Sequence, residues 1–246
     1  MIPFTEAREQ KHDGFRCVNC GRRVGRLFMQ YSPGNIRLMK CDNCKAVADP
    51  YIECEFMIIF IDLILHKPKA FRHLLYNVLN LEKTDFKAIA LKLALMYFIL
   101  DAYRVSLSVG SKGTRVSSRS GLEFAWTCLK VLLNVLLGNL MLVSVLWIGI
   151  RILLNLNYHI CRYREILLAV LVSSYFKMFL LAMMVWDFPS ASIFIVDIFV
   201  LSLNTVALRV LTQLGTTACF LLCFSSHGAK FIASDWLLLL VSSKLG

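Results

Sequence analysis

Two Cys-x-x-Cys pairs constrain this chain more than any other feature. Cys17-Val18-Asn19-Cys20 and Cys41-Asp42-Asn43-Cys44 are separated by 20 residues, at the upper end of the spacing of four-cysteine zinc sites. A two-residue gap lets both thiolates of a pair turn toward one ion. Two such pairs complete a tetrahedron with Zn–S distances of about 2.3 Å. Gly21 after the first pair relieves a tight turn, and Asn43 inside the second tolerates the left-handed region. Between the pairs, Val24–Met29 and Asn35–Met39 read as short strands joined by the turn Ser32-Pro33-Gly34-Asn35. Residues 15–53 are therefore expected to form a small zinc-ribbon-like β module. Disulfides and free thiols are the competing readings. Disulfides need an oxidising compartment, and residues 1–14 read as a polar mobile tail without the apolar core of a signal peptide. With four thiolate ligands the expected Zn2+ is structural, because a catalytic ion keeps an open position.

The remainder of the chain is hydrocarbon-soluble. Of 246 residues 58% are hydrophobic and only 17% charged, against about a quarter charged in soluble domains. This is the composition of an integral membrane protein. The 27 Lys and Arg exceed the 16 Asp and Glu, giving a net charge of +11. In a membrane protein such an excess marks cytosolic flanks and contact with anionic headgroups. The basic residues are dispersed among apolar runs, so nucleic acid is not an expected partner. Cys54, Cys128, Cys161, Cys219 and Cys223 lie in or beside apolar runs and read as small hydrophobes, with palmitoylation of Cys161 left open.

Phe56–Leu65 is an apolar run interrupted by Asp62. It is too short to span a bilayer and suits a re-entrant, interfacial or buried helix. Pro68 fits the first turn of a following helix. That helix would place Phe71, Leu74, Leu75, Val78 and Leu79 on one apolar face, with Arg72, His73, Tyr76, Asn77 and Asn80 elsewhere. Its basic start suits the headgroup layer, which makes Lys67, Lys69, Arg72 and His73 candidate membrane-surface residues. Packing of the same face on the zinc module or the bundle is the alternative. Spanning candidates are Lys87–Tyr103, Val131–Ile150, Ile166–Trp186 and Ala191–Leu214; the first reaches only about 26 Å. Thr216–Phe224 and Trp236–Val241 are too short and read as a broken or peripheral C-terminal hairpin. Val105–Gly121 reads as a Ser/Gly-rich basic linker, and no internal repeat is visible. The expected architecture is a mainly α membrane protein. A first domain covers residues 15–80, with membrane-associated helices over 56–80, and residues 86–246 form a domain of about 3–5 transmembrane helices.

Counting basic residues beside the spans puts the zinc module on the cytosolic side. With Lys87–Tyr103 spanning, ten flanking Lys and Arg, Lys230 among them, lie inside and five outside. Ionisable groups within membrane segments are functional candidates. Lys92, Asp101 and Asp187 lie near segment ends, where they can snorkel. Lys177, Asp197 and Arg209 lie deeper and are the candidate intramembrane polar residues. Asp197 and Arg209 fall on different faces of one helix, whereas Asp197 and Lys177 of the neighbouring span form a plausible pair. Asp62 and His66, at i and i+4, are a candidate hydrogen-bonded pair. The chain has no G-x-S-x-G, H-E-x-x-H, phosphate loop or dinucleotide fingerprint, so no catalytic set is assigned and an enzyme is not expected.

The cysteine pairs, followed by Ala48-Asp49-Pro50-Tyr51-Ile52-Glu53 and by Ile61 to Asn77 (IDLILHKPKAFRHLLYN), closely resemble the homology domain of the Arv family. The resemblance is specific over about 60 residues, from the zinc-site spacing to Asn77; the membrane half resembles the family in hydrophobic character and size. It departs after Glu53, where Cys54-Glu55-Phe56-Met57 stands in place of an aspartate–proline step. The resemblance implies a multi-pass protein of the endoplasmic-reticulum membrane acting in sterol homeostasis and intracellular sterol and lipid trafficking. It further implies effects on sphingolipid metabolism and on glycosylphosphatidylinositol-precursor handling. The metal positions carry over onto Cys17, Cys20, Cys41 and Cys44. Implied partners are membrane lipids, namely sterol, sphingolipid or glycosylphosphatidylinositol precursors, and proteins of lipid metabolism. The alternative is a membrane scaffold whose zinc module recruits lipid enzymes or carriers without itself moving lipid.

Overall fold

A computed structural model describes residues 14–32, 35–79, 86–111, 121–153, 160–180 and 191–243. The chain divides into two compact units, residues 1–86 and 87–246. The mobile-tail reading of residues 1–13, Pro33 and Gly34 of the expected turn, and Asp187 lie outside the described residues.

In the first unit, strands β1 (Phe28–Ser32) and β2 (Asn35–Leu38) pair antiparallel, with Phe28 opposite Leu38 and Gln30 opposite Ile36. The first strand lies later than Val24–Met29 because Val24 is already used: its N–H donates to the Phe15 carbonyl at 3.0 Å. That bond belongs to a repeated knuckle. The Cys17 N–H donates to the Arg22 carbonyl and the Gly21 N–H to the Cys17 carbonyl; the Cys41 N–H donates to the Ala46 carbonyl and the Lys45 N–H to the Cys41 carbonyl. Ala48 repeats the bond of Val24, donating to the Met39 carbonyl. Gly21 and Lys45 occupy equivalent positions with φ of 76° and 61°. The module therefore contains an internal repeat, Cys-x-Asn-Cys in sequence, which backbone geometry extends on both sides of the cysteines and which corrects the expectation that no repeat is present.

A 3-10 turn, Pro50–Glu53, starts at Asp49, whose carboxylate accepts the Tyr51 N–H at 3.0 Å. Helix α1 (Phe56–Ile64) comes next. It ends without glycine: His66 takes φ of 58°, its N–H donates to Leu63 and the Lys67 N–H to Asp62. These are the two bonds of a Schellman cap, made here by a residue type tolerated in the left-handed region. Pro68 then opens α2 (Pro68–Arg72) at its first turn. Residues His73–Val78 continue it with π winding. The wider turn rotates the inward face, so His73 and Tyr76 are buried beside Phe71 and Leu75 while Val78 is exposed. The regular face expected from a 3.6-residue period is corrected by this winding.

The second unit is helical: α3 (Phe86–Ser111, whose first residue belongs to the first unit), α4 (Gly121–Leu153), α5 (Ile160–Ser173) with a 3-10 turn Ser174–Met178, α6 (Ala191–Thr212) and α7 (Thr216–Ser243). Helix α4 packs along α7, and α6 packs against both α5 and α7. At Gly149 an added Cβ would meet a Leu222 methyl at 2.1 Å, so that glycine sets the close approach of α4 and α7. Among the described residues, Trp126–Leu153 and Ser192–Thr212 are long and apolar enough to cross a membrane.

Three sequence expectations change. The expected C-terminal hairpin is one continuous helix, α7, because the polar middle that looked like a break is satisfied. Ser225 and Ser226 hydroxyls donate back to the Leu222 carbonyl, and Lys230 is buried among polar partners. Lys230 is therefore no loop residue and drops out of the orientation count. The expected linker begins later, since α3 continues to Ser111, with Val105 buried and the Ser106 hydroxyl bonded to the Ala102 carbonyl. The Ile166–Trp186 candidate tightens to 3-10 after Ser173, where the Ser173 and Ser174 hydroxyls both bond the Val170 carbonyl; its residues 181–186 lie outside the described residues.

Candidate metal centre and buried charge cluster

The two knuckles bring Cys17, Cys20, Cys41 and Cys44 together with all four Sγ atoms within 4.8 Å of one another. Cys17 Sγ lies 3.7 Å from Cys44 Sγ, and Cys20 Sγ 3.6 Å from Cys41 Sγ. A regular tetrahedron of thiolates around an ion at about 2.3 Å places neighbouring sulfurs about 3.8 Å apart. The donor set thus fits a tetrahedral metal ion. Burial pushes the Cys17 thiol up to about 12. Burial acts the same way on Cys20, but the Arg22 backbone N–H, the Asn43 side chain and the neighbouring cysteines outweigh it and bring that thiol down to about 6. The Ala46 backbone N–H likewise lowers Cys44.

The centre is braced from α2 and its π extension. Asp49, fully buried, accepts from Tyr51 N–H and from Asn77 Nδ2, and pairs with His73 Nδ1 at 2.7 Å. Asn77 also grips the Arg16 backbone, accepting its N–H at 2.9 Å and donating to its carbonyl at 3.0 Å. Arg72 Nη1 donates to the Val18 and Asn19 carbonyls inside the first cysteine turn, at 2.9 and 2.8 Å. The Arg16 guanidinium stacks 4.4 Å over the Tyr76 ring. Of the four candidate surface residues, Arg72 and His73 thus face the cysteine module. Lys67 instead pairs with Asp62 at 2.7 Å, and Lys69 is exposed. Asp62 also accepts from the Tyr51 hydroxyl at 2.9 Å. That arrangement replaces the expected Asp62–His66 pair, because His66 has left the helix at the Schellman cap.

In the helical unit, charges meet across helices. Asp101 of α3 pairs with Lys177 at 2.8 Å and with Lys230 of α7. Lys230 also donates to Asn139 of α4 at 2.8 Å and to the Tyr97 hydroxyl. Lys177 Nζ sits 3.7 Å from the Tyr97 ring centroid. Asp197 pairs with Arg104 at 2.7 Å rather than with Lys177. Asp101, expected to snorkel, is buried. Arg209 is exposed in the last turn of α6, where a cation meets the negative end of the helix dipole. A second polar layer joins Ser173, Asn204 and His227. Sequence reasoning does not bring Asp101 and Lys230 into one cluster, nor Arg104 to Asp197. Their signal was periodic: Tyr97, Asp101 and Arg104 fall at i, i+4 and i+7, as do Cys223, His227 and Lys230.

Asn134 of α4 differs from these. It is 1% exposed, and neither its Oδ1 nor its Nδ2 has a hydrogen-bond partner among the described residues.

Comparison with known proteins matches the family model described as "Arv1-like family" over residues 16–208. "Protein ARV 2" of Arabidopsis thaliana is 49% identical over 229 residues, covering 93% of this chain and 96% of the relative. "Protein ARV1" of Homo sapiens is 25% identical over 217 residues, covering 84% and 76%. "Protein ARV1" of Saccharomyces cerevisiae is 39% identical over 70 residues, covering 28% and 22%. No solved structure matches.

Proposed function

Because the chain belongs to the Arv1-like family, we propose that it maintains sterol and lipid homeostasis from the endoplasmic-reticulum membrane, distributing sterol by holding it within the helical unit. Sphingolipid metabolism and glycosylphosphatidylinositol-precursor handling change as consequences of that distribution. Helices α4 and α6 cross the bilayer, with one to three further crossings among α3, α5 and α7, and the cysteine module faces the reducing cytosol. Cys17, Cys20, Cys41 and Cys44 would hold a structural Zn2+ there, locking the module against α2. In this reading the protein acts by holding lipid rather than by chemical turnover.

The observation that carries this reading is Asn134. A buried amide without a partner costs about 1–3 kcal/mol, and such a group in a native structure calls for an explanation. A sterol is an apolar body with one hydroxyl, and an unused amide on the apolar helix α4 is a complementary handle once the helices part to admit the ligand. The test is mass spectrometry of lipids retained by the full chain in mild detergent, beside Asn134→Leu. The substitution removes an unsatisfied group, so stability is expected to hold or rise while retained sterol is lost. Sterol retained equally by both proteins would refute the site. No enriched lipid in either would favour the scaffold reading, in which the cysteine module recruits proteins of lipid metabolism.

A further inference from the structure

We propose that α1 is a monotopic anchor, inserting its apolar face into one leaflet of an anionic bilayer with Lys67 and Lys69 at the headgroups. The inference rests on the membrane reading above and assigns the surface by which the first unit meets lipid.

Phe56, Met57, Ile58, Ile61 and Leu65 are 48–74% exposed. At 100° per residue Met57, Ile58, Ile61 and Leu65 fall on one arc, opposite the buried Leu63. The charge inside this helix is removed from that arc: Asp62 turns to the Tyr51 hydroxyl and to Lys67. Nine helical residues reach about 14 Å, half of a hydrocarbon core of about 30 Å, so α1 can enter one leaflet but not cross. The Schellman turn at His66 then ends the helix, and the exposed Lys67 and Lys69 follow directly after it. Apolar side chains below and Lys69 at the edge are complementary to an anionic lipid surface, with Lys67 paired to Asp62 beside it and the exposed Glu53 and Glu55 at the opposite end of the helix. The basic helix α2 and its π-wound continuation, by contrast, have spent Phe71, Arg72, His73 and Leu75 inside the module.

The test places a photoreactive benzophenone in the full chain, as Ile61→benzoylphenylalanine, reconstituted in phosphatidylcholine–phosphatidylserine vesicles. Tyr31→benzoylphenylalanine on β1 and Leu140→benzoylphenylalanine on α4 are parallel proteins; both positions are exposed. Lipid adducts are expected at Ile61 and Leu140 and not at Tyr31. Lys69→Glu should lower the Ile61 yield severalfold in these vesicles. Lipid at Leu140 but crosslinks at Ile61 to a second copy or to the chain's own helices would overturn the anchor and leave the membrane reading intact. Lipid at neither position would overturn both. A yield unchanged by Lys69→Glu would refute the headgroup contact.

Discussion

Asp49 and His73 meet at 2.7 Å in the interior of the cysteine unit, and through them the last residue before the 3-10 turn is tied to the first π-wound residue after α2. The same carboxylate holds Tyr51 N–H and Asn77, and Asn77 holds the strand-like backbone of Arg16. One buried anion thus joins the first knuckle, the link to α1 and the α2 brace.

Asp49→Ala is therefore expected to destabilise the first unit by about 3 kcal/mol, the cost of orphaning buried partners of a charged group. Hydrogen exchange of the full chain in detergent checks it. Amides of Val18 and Tyr51 should lose protection together, while those of α6 stay unchanged.

Metal content gives a second expectation. The wild-type chain should carry one zinc per molecule by elemental analysis, and Cys41→Ala should lose both the ion and the protease resistance of residues 15–79. Zinc retained at full stoichiometry in Cys41→Ala would contradict the four-sulfur site.

The ion cluster makes a prediction about coupling. Asp101→Ala leaves Lys177 and Lys230 sharing no carboxylate and should cost about 3–5 kcal/mol. In double-mutant cycles Asp101 and Lys177 should couple by more than about 0.5 kcal/mol, whereas Asp101 and Arg209, which share no partner, should add within that margin. Thermal unfolding of the variants in detergent measures both.

Acidification probes the corner between α1 and α2. The Lys67 hydrogen bond, aided by Tyr51 and opposed by slight desolvation, lowers the Asp62 carboxyl below its ordinary value. A depressed carboxylate stabilises the fold above its unfolded value of about 3.9, and that contribution disappears as pH falls through the folded value. Exchange protection at His66 and Lys67 should therefore drop below about pH 4 in the wild type. Asp62→Asn should start from lower protection and lack that pH dependence.

How much of this could be read in advance depends on the range of each interaction. The four-cysteine site was legible because both halves of each pair lie within one turn, where spacing alone dictates direction. Pro68 at a helix start and the apolar length of α4 were legible for the same reason. The extension of the knuckle repeat beyond Cys-x-Asn-Cys was not, because Gly21 and Lys45 share a backbone conformation and no side-chain chemistry.

The sequence by itself determined the cysteine spacing and the long apolar runs of α4 and α6, set by steric and solvation forces acting within a few residues. Only the tertiary structure decided which charges pair. Lys177 meets Asp101 across 76 residues, and Arg104 meets Asp197 across 93. A buried charge must find a partner wherever helices happen to approach, and that approach depends on contacts such as Gly149 against Leu222, which no local pattern encodes. The π winding at His73 is of the same kind: its register serves Asp49, which lies 24 residues away.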